Sequence, residues 1–101
     1  MKRNVSNTCR STAFKFPQTT AEIIAITRAG QPRGENTLRS FGTALGVSKQ
    51  QIAWYENNAQ EPSNERLHEW FHSDIDWIST MATEIMVVRY RSMLKLARHT
   101  D

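Results

Sequence analysis

The 101-residue sequence predicts an all-α fold, a bundle of four to five helices closed by a long C-terminal helix. Three observations carry this. Apolar residues recur three and four positions apart, the spacing of one helical face, and no stretch alternates apolar with polar as a strand would. Thr19-Thr20-Ala21-Glu22 and Ser48-Lys49-Gln50-Gln51 have the form of capping boxes, which satisfy the free amides of a helix start. Turn formers, Gly30 to Asn36 and Gly46 to Ser48, fall between the periodic segments.

The elements follow in order. Residues 1–16 have no apolar period and carry Lys2, Arg3, Arg10 and Lys15 without an acid, the pattern of a flexible basic arm. After Pro17 a first helix is expected near 20–29, with Ile23, Ile24, Ile26 and Ala29 apolar and Gly30 as its stop. Gln31 to Asn36 must loop. Thr37 caps a second helix with Leu38, Phe41 and Leu45 apolar, and Gly46 ends it. A third runs from Ser48 to about Asn57 and buries Ile52 and Tyr55. Pro62-Ser63 opens a fourth through Leu67, with Trp70 and Phe71 as its core face. Ser73 to Asp76 allows a restart, and Trp77 to His99 reads as one long helix. Its Ile78, Met81, Ile85, Val88, Leu94 and Leu96 are too dense for one stripe, which predicts burial on two sides. Three units result: an arm at 1–16, a helix-turn-helix domain at 17–72, and a C-terminal helix at 73–101.

Composition narrows the function. A chain this short forms one domain with little room for a deep enzymatic cleft. No apolar run reaches the roughly 18 residues that cross a bilayer, and the basic N-terminal segment lacks the apolar stretch of a secretory signal. The single Cys9 has no internal partner, as in a reducing cytoplasm. Net charge is +3, a mild excess whose distribution is more telling. Residues 59–77 hold Glu61, Glu65, Glu69, Asp74 and Asp76 against Arg66 alone, while Arg89, Arg91, Lys95 and Arg98 make the end basic again. The acidic side is unsuited to phosphates, and the arm is suited to them.

The informative feature is the three-residue junction Gly46-Val47-Ser48. A turn that short makes the flanking helices cross steeply, and Gly46 supplies the left-handed backbone such a corner needs. With Val47, Ile52 and Tyr55 inward, Lys49, Gln50, Ala53, Trp54 and Asn57 remain on the outer face. A helix so held can enter a major groove, where Gln reads adenine and Lys reads guanine.

The run Leu38 to Asn58, continued by Glu61-Pro62-Ser63, resembles the helix-turn-helix of the phage repressor/Cro (XRE-type) family, whose domain is lambda-repressor-like. The matching marks are Phe41, Gly46-Val47-Ser48, Ile52, Tyr55-Glu56, Asn57 and Pro62-Ser63. The resemblance implies that Lys49, Gln50 and Trp54 meet bases, and that Thr37 and Ser48 stand at helix starts near phosphates. Arg39 and Gln51 complete the expected DNA-binding set. Three positions depart from the pattern: Leu38 replaces a phosphate-contacting Gln, Gly42 replaces a small Ala, and Ala59-Gln60-Glu61 lacks basic residues.

The expectation is a cytoplasmic, nucleoid-associated transcriptional regulator without enzymatic activity or cofactor. It would be a homodimeric repressor, with Ile78, Met81, Ile85 and Val88 as the dimerisation stripe and a palindromic double-stranded operator as partner. An alternative is an antitoxin-like protein whose C-terminal helix grips a protein partner. His68-Glu69-Trp70-Phe71-His72 also matches the H-E-x-x-H of zinc peptidases. A catalytic zinc needs a third ligand, and only His99, Glu84 or a nearby Asp is available, so a minimal peptidase is a remote third reading.

Overall fold

The computed structural model describes residues 19–100, with side chains to residue 97, and these form an all-α fold. Among the described residues there are five helices: α1 (Thr20–Ala29), α2 (Leu38–Leu45), α3 (Lys49–Glu56), α4 (Asn64–Phe71) and α5 (Asp76–Thr100). The expected arm at residues 1–16 lies outside the described residues.

Each short helix starts where its cap dictates. At α1 the box is reciprocal: Glu22 N–H donates to Thr19 Oγ1 and Thr19 N–H donates to Glu22 Oε1, both at 3.1 Å. Thr37, Ser48 and Ser63 accept from the third amide of α2, α3 and α4. The ends of α2 and α3 share one device. Gly46 takes the left-handed conformation (φ 77°), so Val47 N–H reaches back to Gly42 O at 2.9 Å and Gly46 N–H to Thr43 O at 3.2 Å. Asn58 repeats it at φ 62°, with Ala59 N–H donating to Trp54 O at 2.8 Å and Asn58 N–H to Tyr55 O at 3.3 Å. Both pairs satisfy carbonyls that a helix end otherwise leaves open. Gly30 also ends α1 but stays right-handed (φ −83°).

The core is one cluster: Ile23 and Ile24 of α1, Phe41 and Leu45 of α2, Ile52 and Tyr55 of α3, Leu67 and Trp70 of α4, and Ile78, Met81, Ala82 and Ile85 of α5. Phe41 stacks on Trp77 at 5.3 Å between centroids, and Tyr55 meets Trp70 edge-on at 6.2 Å. The Trp70 indole N–H donates to Leu45 O at 2.9 Å, which fixes α4 against the end of α2. Arg89 of α5 donates to Glu61 Oε1 and Pro62 O, both at 2.6 Å, and closes the long helix onto the loop before α4.

Two expectations need correction. Ile78, Met81 and Ile85, expected as a dimerisation stripe, are at most 2% exposed, and Val88 is half-buried against the same cluster. Their apolar surface is used within the chain's own core, where α5 packs along α1 and α4. Phe71, expected on the core face of α4, is 43% exposed. Leu67 and Trp70, three apart, already fill that face, and Phe71 falls about 100° further round the helix.

Candidate nucleic-acid interface

The expected site residues gather on α3 and at the starts of α2 and α3. Along α3, Lys49, Gln50, Ala53, Trp54 and Asn57 fall within an arc of roughly 140°, opposite Ile52 and Tyr55, by the 3.6-residue turn. Ile52 is wholly buried and Tyr55 nearly so, while Lys49, Gln50, Trp54 and Asn57 are exposed. Ala53, within the arc, and Gln51, about 60° beyond its edge, are half-buried. Thr37 and Ser48, exposed caps, stand at the starts of α2 and α3, and Arg39, the second residue of α2, is exposed.

What holds α3 is as important as what it shows. Val47, in the junction, is half-buried against the core. Gly42 lets the junction lie tight on α2: a Cβ there would sit 2.7 Å from Val47 O and 3.2 Å from Ser48 O. Gly at this position is therefore a steric requirement, since the obstructing atoms are backbone. From the other side, Arg28 of α1 clasps Glu56 at the end of α3, Nε to Oε2 at 2.7 Å and Nη2 to Oε1 at 3.0 Å. Its Nη1 donates to Asn36 O at 2.8 Å, so one guanidinium joins α1, α3 and the loop before α2. The hydrogen bonds to the Glu56 carboxylate raise the Arg28 pKa above its ordinary value, so the guanidinium stays charged.

The outward side chains are otherwise uncommitted. Among the described residues, no hydrogen bond or ion pair engages the side chains of Arg39, Lys49, Gln50 or Asn57. This combination, a rigid backbone with unspent donors and acceptors, is what reading a base edge demands.

No protein-family model, curated protein or solved structure matches the chain.

Sequence reasoning missed the Arg28–Glu56 clasp and the left-handed Asn58. The first joins residues 28 apart, which no local pattern signals. The second had a signal in Asn57-Asn58, since Asn tolerates positive φ better than other side chains with a Cβ. The His68–His72 pair is brought together at 4.4 Å between ring centroids on the exposed side of α4. Glu69 between them is paired to Arg66 at 3.2 Å. Among the described residues, no three His, Cys, Asp or Glu side chains cluster as a metal would need. No helix among them is long and apolar enough to cross a membrane.

Proposed function

We propose that the chain is a sequence-specific DNA-binding transcriptional regulator, a homodimeric repressor that acts by covering a promoter. One observation carries the reading: α3 is fixed by the Gly42–Val47 contact, its buried Ile52 and Tyr55, and the Arg28–Glu56 clasp, yet presents Lys49, Gln50, Trp54 and Asn57 unpartnered. The resemblance of residues 38–63 to the repressor/Cro helix-turn-helix supports the same reading.

In this mechanism α3 lies in the major groove. Lys49 and Gln50, in its first turn, donate to guanine and pair with adenine edges, and Trp54 gives apolar contact one turn further. Thr37 and Ser48 bring the first amides of α2 and α3 to flanking phosphates, joined by Arg39. Ala53 and Asn57 fall within the same arc, and Gln51 flanks it. The loop after α3, Ala59-Gln60-Glu61, offers no basic residue to phosphate, so the grip is moderate and a second copy is needed for tight binding.

Selection of duplexes from a random library tests this. An enriched motif bound by the wild type and lost by Lys49→Ala and Gln50→Ala supports the proposal. Equal binding of all duplexes by wild type and variants overturns it.

A further inference from the structure

The long helix carries a second apolar stripe that the fold does not cover. Val87, Tyr90, Met93 and Leu94, with half-buried Met86 at their edge, recur at three and four residues, the spacing of a two-helix seam, roughly 150° round the helix from the buried Ile78, Met81 and Ile85. Val87, Tyr90, Met93 and Leu94 are 43%, 62%, 65% and 38% exposed. Beyond Arg89 every described residue to Ala97 is exposed, so this half of α5 stands clear of the core. Beside it runs a groove of about 670 Å³ between α4 and α5, walled by Leu67 and Phe71 on one side and Met86, Val87, Tyr90 and Met93 on the other. A continuous helix cannot fold back into its own groove.

We propose that a second copy of this chain covers this surface, its α5 antiparallel to the first, the C-terminal half of each helix lying in the other's groove. The chain has both parts of a self-complementary contact, an apolar ridge and an apolar groove on one face, as a twofold interface requires. Exposed Val87, Tyr90 and Met93 of α5 and Phe71 of α4 face one groove, a contiguous apolar surface of the kind that marks an interaction site. Charge fixes the direction. Glu84, Arg91 and Lys95 lie on one flank of the seam, and among the described residues none has an ion-pair partner. Antiparallel pairing about residues 87 and 88 sets each Glu84 opposite the other copy's Arg91. Parallel pairing carries the charged flank of one copy to the opposite side of the seam from the other's, so Glu84 meets no Arg91 there.

This surface is inferred from α5 and its groove alone; only its use on an operator rests on the DNA-binding reading. Sedimentation equilibrium of the full chain without DNA tests it. The wild type is expected to be dimeric at tens of micromolar, and Tyr90→Asp with Met93→Asp, both exposed, to be monomeric with unchanged helicity by circular dichroism. Glu84→Arg and Arg91→Glu should each weaken association at least tenfold, and the double swap should restore it to within a few-fold. A wild type that stays monomeric, including one that associates only with a different protein, overturns the proposal and leaves DNA binding standing. Single swaps without effect, or a double swap that does not rescue, overturn the antiparallel register.

Discussion

Gly42 and Asn58 show how single backbone positions set the geometry of α3. A Gly inside a helix costs about 1 kcal/mol relative to Ala, so Gly42→Ala should stabilise if only propensity mattered. Its new Cβ would meet Val47 O at 2.7 Å, a backbone atom that cannot rotate away. The clash should win, lowering stability by about 1–3 kcal/mol in urea denaturation and weakening DNA binding as α3 is pushed outward. At Asn58 the left-handed backbone makes the opposite forecast. Asn58→Gly should hold or raise stability by up to about 1 kcal/mol, and Asn58→Ala should lower it by about 1 kcal/mol, because the left-handed region penalises a Cβ. Burial, opposed in part by nearby Arg66, raises the Tyr55 phenol above its ordinary value. The folded state therefore holds that proton more tightly than the unfolded chain. Its contribution is complete below about pH 10, the unfolded value, and is lost as pH climbs towards the folded one. Tyr55→Phe should flatten the alkaline arm of a stability–pH curve.

At the scale of elements, helix existence and caps were legible because they are local. Thr19, Thr37, Ser48 and Ser63 each cap the helix their sequence context announces. The inward Ile52 and Tyr55 and outward Lys49, Gln50 and Trp54 followed from the 3.6-residue turn. The use of α5 was not legible. Its sequence carries two apolar stripes, and only the tertiary arrangement decides that Ile78, Met81 and Ile85 close the core while Tyr90 and Met93 stay exposed. The Arg28–Glu56 clasp was equally hidden, and it tests how firmly α3 is held. Glu56→Gln keeps the shape but removes the charge from a half-buried bidentate pair, and should cost about 1–2 kcal/mol. Thermal melting checks that loss, and an unchanged midpoint would show that α3 is held by its apolar face alone.

For the molecule as a whole, core and interface make separable forecasts along one helix. Ile85 is wholly buried, so Ile85→Asp places an unpaired carboxylate in the core and should abolish cooperative unfolding, whatever the oligomeric state. The exposed Tyr90 and Met93 should govern assembly without unfolding the chain. The central claim is that α3 reads base edges, and the most direct test is fluorescence anisotropy on a duplex selected from a random library. Gln50→Ala is predicted to lose about 1–3 kcal/mol on that duplex while binding a scrambled duplex as the wild type does. Equal affinity of wild type and Gln50→Ala on both duplexes, with the same result for Lys49→Ala, would contradict the account.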